Sequence, residues 1–269
     1  MTEIIAVANA KGGSAKTTTA VNLCCALAAT GRKVLLVDLD PQCSATVAVG
    51  FEHNAEQRSL AGVLISGNDL SDVLLHYVKG SFDVIPSGED LTAVPVALYN
   101  EADGIRRLRH ALVPVAGEYD FIFIDCPPSL SVLTKNALCA SNYLLIPMVC
   151  DYFAIDSLMS LVSLYEQLNQ SGEARVQLLG VVRTLFEEEH PLSRQISREL
   201  QLQFKGLLFD TLIPYNERIS ESTSAGRPVM LYDKSSVGAR AYLTLAGELL
   251  RKLRHPQESS DQEQDGQSA

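Results

Sequence analysis

A glycine-rich stretch near the N-terminus has the residue types that bind phosphate. A short apolar run, IIAVA, leads into AKGGSAKTTT (10–19), and a helix-like stretch follows directly. Gly12 and Gly13 allow the backbone to turn tightly and to bring its N–H groups against phosphate oxygens, at the positive end of the helix dipole. Lys16 would neutralise β- and γ-phosphate charge, and the Thr17 hydroxyl would ligate Mg²⁺. The stretch therefore predicts a site for ATP and Mg²⁺.

Two residues of this loop need a separate explanation. Lys11 is a second lysine that phosphate binding alone does not require. Ala15 precedes Lys16 where the usual loop has glycine, and its methyl group would crowd the phosphates or restrict the backbone. Nucleotide binding is therefore a firmer expectation than rapid turnover. The alternative to a nucleotide-binding loop is an ordinary strand-to-helix turn. The predicted nucleotide-binding residues of the loop are Lys11, Gly12, Gly13, Ser14, Ala15, Lys16, Thr17 and Thr18.

Carboxylates follow two further strand-like segments. VLLVDLDPQ contains Asp38 and Asp40, and FIFIDCPPS contains Asp125. The ends of parallel strands meet at one edge, where a Mg-nucleotide needs oxygen ligands and a carboxylate that orients water. Alternation would place Asp38 and Asp40 on one face if the strand continued through both. We assign water positioning to Asp40, the metal shell to Asp38, and support of the Mg²⁺ ligands to Asp125. Each one alone could also be a turn cap.

Recurrent apolar runs predict the elements that position these residues. Most are continuous, as expected of strands buried on both faces. The runs are 4–8, 34–38, 83–87, 121–125, 143–147, 178–182 and 209–214, and the helical stretches between them include 16–30, 103–116, 155–169, 190–203 and 237–254. This order predicts an α/β fold with a doubly wound, mostly parallel twisted sheet and helices on both faces, as in P-loop NTPases. Ligands bind at the carboxyl ends of such strands.

Composition bounds the class of protein. The 269 residues are 46% hydrophobic, and their length fits one large α/β domain over 1–255. Pro256 ends the last helical stretch, and the acidic segment 256–269 is expected to be disordered. The formal charge of −10 argues against a surface coated in basic residues. With no apolar run of ~20 residues and no signal-peptide pattern, we expect a cytoplasmic protein. Six scattered cysteines predict neither a metal cluster nor disulfides.

Further segments carry a family resemblance. Besides Lys11 and Lys16, they are VDLDPQ, FIDCPPS, VVRT (181–184), IPYNERISESTSAGRPVMLYD (213–233) and GARAYLTLA (238–246). From residue 3 to about residue 254 the chain resembles the ParA/Soj family of partition ATPases, which have a deviant Walker A motif. The resemblance implies a Mg-ATP sandwich homodimer that binds DNA non-specifically in the cytoplasm or on the nucleoid, without a membrane. It also implies a ParB-like partner that stimulates hydrolysis.

The resemblance gives several residues a role. Lys11 corresponds to the signature lysine that reaches the other subunit's phosphates, which places it with Lys16 and Asp40 among the catalytic residues. Arg183, Thr184, Pro214 and Asn216 fall where family members line the adenine pocket. Arg218 matches a basic position of the family's DNA-binding segment.

The chain also departs from the family pattern. Relatives usually have KGGVGKTTT, PQGNAT and IPRNVRLSEAPSHG, where this chain has KGGSAKTTT, PQCSAT and IPYNERISESTSAG. Tyr215 and Glu217 therefore replace a basic and an apolar residue. Three glutamates, 187–189, follow VVRT where arginine is frequent, and like charge at a DNA phosphate is unfavourable. We expect this face to bind DNA weakly unless other cations compensate, and we expect slow hydrolysis.

Three alternatives remain at this level. A slowly hydrolysing, nucleotide-gated module that positions a protein cargo would explain Ala15 and the acidic substitutions. A membrane-cycling ATPase similar to MinD would require segment 241–255 to act as an amphipathic anchor, whereas its leucines are expected to pack on the sheet. A small-molecule kinase would rest on the phosphate loop alone.

Overall fold

A seven-stranded sheet forms the centre of the computed structural model, which describes residues 2–52 and 59–254. The strands are β1 (Glu3–Val7), β2 (Val34–Asp38), β3 (Leu75–Tyr77), β4 (Phe82–Ile85), β5 (Phe121–Asp125), β6 (Tyr143–Val149) and β7 (Gln177–Thr184). Their order is β3-β4-β2-β5-β1-β6-β7, and every neighbouring pair is parallel except β3 with β4. The predicted mostly parallel α/β fold is confirmed.

Helices cover both faces of this sheet. They are α1 (Lys16–Ala28), α2 (Ser44–Ala48), α3 (Leu60–Ser66), α4 (Val94–Ala97), α5 (Arg107–Ala116), α6 (Val132–Ala140), α7 (Ala154–Gln170), α8 (Pro191–Gln203), α9 (Glu217–Ser224), α10 (Val229–Tyr232) and α11 (Val237–Arg254). None of the described helices has the length and apolar character that crossing a membrane requires. The predicted segment 256–269 lies outside the described residues.

Alternating residues of the central strands pack into two separate cores. In β1, Ile5 and Val7 face the core that includes α1 and α11, whereas Ala6 faces the core that includes α5, α6 and α7. The strand sequences read as continuous apolar runs because both faces are covered. In α11, Leu245 and Leu249 are fully buried in the first core.

The prediction of a strand at 209–214 is wrong. Leu208, just before this run, and Pro214, at its end, form isolated bridges to Val181 of β7 and to Phe186. Between them, the backbone amides of Asp210 and Thr211 donate to the buried Glu248 carboxylate of α11, at 2.7 and 2.9 Å. Because these amides bond a side chain, they are not available to a strand ladder. The sheet has seven strands because it includes the short antiparallel β3, which the sequence analysis missed.

Strand register places the predicted carboxylates together. Asp125, the last residue of β5, pairs with Asp38 at the end of β2 and with Val7 at the end of β1, just before the glycine-rich loop. β2 ends at Asp38, so the condition under which alternation would place Asp38 and Asp40 on one face is not met. Asp40 is positioned by the loop that follows the strand.

Candidate nucleotide site

The loop between β1 and α1 surrounds open space. Gly13 has φ +72°, which glycine adopts without strain, and a Cβ added at Gly12 or Gly13 would meet nothing within 4 Å. The Asn9 side chain fixes the start of the loop: its Oδ1 accepts from the Lys11 amide at 2.9 Å, and its Nδ2 donates to the Pro147 carbonyl at 2.8 Å. The loop therefore has an open side on which an anion can lie against backbone N–H groups.

Lys16 provides a buried cation on that side. Its residue is only 6% exposed, and its ammonium group donates to the Lys11 carbonyl at 3.0 Å. Burial lowers the pKa of Lys16, and the neighbouring Asp125 opposes that shift. A buried ammonium that contacts one neutral carbonyl is suited to a charged ligand, because phosphate oxygens would satisfy its other donors.

Ala15 adopts a left-handed backbone conformation. Its φ and ψ are 61° and 30°, and it is the residue that precedes α1. Cys43, before α2, has φ 55°. Both positions are glycine in the usual family motifs, and an L-residue in this region is strained by ~1–2 kcal/mol relative to the right-handed region. The structure therefore gives the Ala15 substitution a backbone consequence in addition to the methyl group that it adds to the loop.

We expect Ala15→Gly to raise stability. Relief of the left-handed strain exceeds the added flexibility of glycine in the unfolded chain, which leaves a net gain of about 0.5–1 kcal/mol and roughly 1–4 °C in melting temperature. Thermal unfolding without nucleotide measures this. Ala10→Gly is the matched control, because Ala10 lies in the same loop without a positive φ. The control is expected to lower stability, and the same sign for both variants would contradict the strain argument.

Thr17 and Asp125 form the part of the site that fits Mg²⁺. The Thr17 hydroxyl donates to Asp125 Oδ2 at 2.7 Å, while Asp125 Oδ1 is buried without a hydrogen-bond partner. Burial raises the pKa of Asp125 well above its ordinary range, and the nearby Asp38 adds to the shift. An unpartnered buried carboxylate oxygen beside a hydroxyl is the donor set that a hard cation or its bound water would satisfy.

The described residues do not form a metal cage by themselves. Among residues 2–52 and 59–254, no group of three His, Cys, Asp or Glu side chains is placed to hold a metal ion. Mg²⁺ usually binds one or two protein oxygens together with substrate phosphates and waters. Thr17 and Asp125 therefore fit an ion that arrives with the nucleotide.

Asp38 stabilises the loop that follows β2. Its Oδ2 accepts from the Thr46 amide at 2.8 Å and the Thr46 hydroxyl at 2.7 Å, and its Oδ1 accepts from the Asp40 amide at 3.2 Å. Burial raises its pKa to about 6. Both carboxylate oxygens already accept hydrogen bonds from the protein, so the assignment of Asp38 to the metal shell stays a prediction. The sequence analysis missed Thr46, although a threonine in PQCSAT was a visible signal.

Asp40 lies in the same loop, two residues after the end of β2. It is 8% exposed, its Oδ1 accepts from the Gln42 amide at 3.0 Å, and its backbone carbonyl accepts from the Ser87 hydroxyl. No described residue forms a hydrogen bond with Asp40 Oδ2, which leaves one carboxylate oxygen available to a water molecule. Sequence reasoning did not identify Ser87, which lies 47 residues away.

Lys11 bonds a residue that sequence reasoning also missed. Its ammonium group forms an ion pair with Asp151 Oδ2, in the turn between β6 and α7. The signature lysine thus has a partner within its own chain.

The predicted adenine-pocket residues lie around the end of β7. The Arg183 guanidinium is buried and donates to the Ser197 hydroxyl at 2.8 Å and the Phe209 carbonyl at 2.9 Å, so it joins α8 to the segment after it. Asn216 precedes α9, and its Oδ1 is buried without a partner. Pro214 bridges to Phe186. Asn216 therefore retains an acceptor that a base amino group could use.

Two hydrogen-bond arrangements bear on the remaining predicted residues. The Thr184 hydroxyl donates to the Ser14 carbonyl at 3.0 Å and so ties the end of β7 to the phosphate loop. Arg218, the predicted DNA contact, pairs with Glu221 at 2.7 Å and with Asp233 at 3.7 Å. Its positive charge is largely compensated by its own chain.

Comparisons with known proteins agree with this geometry. A family model described as an AAA domain matches residues 2–178. Chromosome partitioning protein ParA of Caulobacter vibrioides is 39% identical over 256 residues, covering 94% of this chain and 96% of that protein. Sporulation initiation inhibitor protein Soj of Bacillus subtilis is 39% identical over 249 residues, covering 93% and 98%.

A solved structure extends the similarity to three dimensions. A cobyrinic acid a,c-diamide synthase of Mycobacterium smegmatis, with bound ADP and magnesium, superposes with a TM-score of 0.83. It is 31% identical, and the alignment covers 96% of this chain and 97% of that protein.

Proposed function

Because this chain belongs to the ParA/Soj family of partition ATPases, we propose that it positions DNA or a cargo by a cycle of ATP binding and hydrolysis. In the proposed cycle, Mg-ATP joins two copies into a sandwich dimer that binds non-specific DNA in the cytoplasm or on the nucleoid. A ParB-like partner stimulates hydrolysis and returns the chain to the monomer. The proposed ATPase domain covers residues 1–255.

The observation that supports this proposal best is the Thr17–Asp125 pair beside the buried Lys16. A hydroxyl, an unpartnered carboxylate oxygen and an ammonium group with one neutral partner converge on the open side of the phosphate loop. These groups match the charges of a Mg-nucleotide, with Thr17 and Asp125 holding the ion. When bound, Mg²⁺ would neutralise charge on the phosphate oxygens.

Different residues of this chain have different roles in the proposed hydrolysis. Backbone N–H groups of the loop and the Lys16 ammonium bind the phosphates and stabilise the charge that develops on their oxygens. Asp40 Oδ2 accepts a hydrogen bond from the attacking water and orients it, while the Gln42 amide and the Ser87 hydroxyl fix Asp40. Lys11 supplies a second cation, to the phosphates of the other copy.

Hydrolysis is proposed to be slow without the partner. Ala15 places a methyl group in the phosphate loop and adopts a left-handed conformation that an L-residue disfavours. The methyl group and this strain would displace the loop N–H groups from the geometry of the transition state, and a small misplacement lowers the rate. Stimulation by a ParB-like protein would then control how long the dimer persists.

DNA binding is the weakest part of the cycle on this chain. Arg218 is paired with two carboxylates, and Glu187, Glu188 and Glu189 are exposed in the turn that precedes α8. Each phosphate contact contributes through counterion release, so the pairing of Arg218 and the nearby glutamates reduce DNA affinity. This observation favours a second candidate, a slowly hydrolysing module that uses ATP to attach to a protein cargo.

Two other candidates have less support. Leu245 and Leu249 of α11 are buried in the core that includes α1, so the apolar side that a MinD-like membrane anchor would need is already covered. A small-molecule kinase has no support beyond the phosphate loop.

A combined assembly and DNA-binding assay tests the proposal. The chain is incubated with ADP, ATP or a non-hydrolysable analogue, and its mass and its binding to a random duplex are measured across a salt series. Dimerisation with the analogue, and DNA binding that is specific to that state and falls with salt, are expected. Dimerisation without DNA binding would favour the cargo module, and a monomer in every nucleotide state would refute the dimer cycle.

A further inference from the structure

The ion pair between Lys11 and Asp151 joins two parts of the chain that are 140 residues apart. Asp151 follows β6, and its backbone is fixed by hydrogen bonds from its own amide to the Val149 carbonyl and from the Ala154 amide to its carbonyl. The carboxylate is therefore held on a short, ordered turn at the start of α7. Its Oδ1 is buried without a partner, which leaves Lys11 as its counter-ion among the described residues.

The pair lies at the surface of the site. The Lys11 and Asp151 side chains are 25% and 39% exposed, and the next residues, Tyr152 and Phe153, are among the exposed aromatic side chains. The Lys11 backbone carbonyl also accepts from the Lys16 ammonium, so the lysine that binds the chain's own phosphates lies beside the paired one. The Lys11 ammonium group can contact a second copy of the chain only by leaving Asp151.

We propose that Asp151 holds Lys11 within its own chain in the monomer, and that release of this ion pair sets the concentration at which two copies associate. The inference rests on the proposed sandwich dimer and adds its regulation. The Lys11 ammonium exchanges one anion, the Asp151 carboxylate, for another, the phosphate of the second copy. Both are strong acceptors for a lysine, so the exchange is close to balanced and the strength of the pair matters.

The expected effect on the dimer dissociation constant is moderate, and the symmetry of the dimer makes it count twice. A half-exposed ion pair shifts an equilibrium by about two- to fivefold. A two-fold dimer releases one such pair from each copy, so the two factors multiply to roughly 4- to 25-fold in the dimer dissociation constant.

The test uses the full chain with a non-hydrolysable ATP analogue, and analytical ultracentrifugation gives the dimer dissociation constant. Asp151→Asn is expected to lower that constant by roughly 4- to 25-fold while nucleotide affinity of the monomer is unchanged. Asp156→Asn is the matched control: Asp156 lies in the first turn of α7, is exposed, and has no ion pair among the described residues. It removes the same charge and is expected to have no effect.

A double variant separates release of Lys11 from a general loss of negative charge. Lys11→Ala is expected to weaken the dimer, and adding Asp151→Asn to it is expected to change nothing further. A wild-type dimer that Asp151→Asn leaves unchanged or weakens would overturn the inference alone. If neither wild type nor variant dimerises with the analogue, the proposed dimer cycle fails as well, so the two failures are distinguishable.

Discussion

Replacing Asp40 by alanine is expected to reduce ATP turnover by about 100-fold or more while Mg-ATP still binds. The phosphate-binding groups, Lys16 and Thr17, make no hydrogen bond to Asp40, so the nucleotide cradle stays intact. The Asp40 carboxylate has one oxygen fixed by the Gln42 amide and one without a described partner. Its loss removes the group that orients the attacking water, and with it an interaction made chiefly in the transition state.

Steady-state phosphate release and binding of a fluorescent nucleotide measure the two expectations separately. Asp40→Asn is the closest variant, because an amide oxygen can still accept from the Gln42 amide while the negative charge is gone. It is expected to hydrolyse ATP as slowly as the alanine variant. Ser87→Ala tests the support of the loop and should have a smaller effect. Undiminished turnover in Asp40→Ala would remove Asp40 from the mechanism.

The sequence predicted those parts of the site that are local in the chain. The phosphate loop, from Lys11 to Thr18, is one short segment between a strand and a helix, and its glycines and lysines indicate its conformation directly. Asp38, Asp40 and Asp125 were found because strands of a parallel sheet end at the same edge, so topology alone brings them close. The apolar runs in the sequence likewise predicted six of the seven strands.

The parts that sequence reasoning missed depend on contacts between distant segments. No local pattern shows that Asp151 pairs with Lys11 or that Glu248 captures the amides at 210–211, because both contacts form only when the sheet and α11 are assembled. The hydrogen bonds of Asp38 were missed for the same reason. Its two oxygens are occupied by Thr46 and the Asp40 amide, so the loop after β2 depends on it.

The Asp125→Asn variant is expected to be more stable than wild type without nucleotide and to lose most of the stabilisation by Mg-ATP. Burial raises the pKa of Asp125 well above its ordinary range, so its charged form is unfavourable in the folded chain. A neutral amide of the same shape removes this penalty and can still accept from the Thr17 hydroxyl, which predicts a gain of about 1–3 kcal/mol. Mg-nucleotide at about 1,000 times its dissociation constant stabilises a protein by ~4 kcal/mol, and the variant would retain little of this.

The pH dependence of unfolding provides the check on this explanation. The pKa of Asp125 is raised, and that of Asp38 is raised to about 6, so both carboxyls bind protons more tightly in the folded chain than in the unfolded one. Their contribution to stability is complete below about pH 4 and is lost as the pH rises through the folded values. Melting temperatures of the nucleotide-free chain should therefore decline from this source between about pH 4 and pH 6 and above, less steeply in Asp125→Asn. Mg-ATP should raise the melting temperature of the wild type at neutral pH above that of the variant. Chelation of Mg²⁺ should remove this difference. An equal Mg²⁺-dependent gain in both proteins would show that Asp125 does not support the metal.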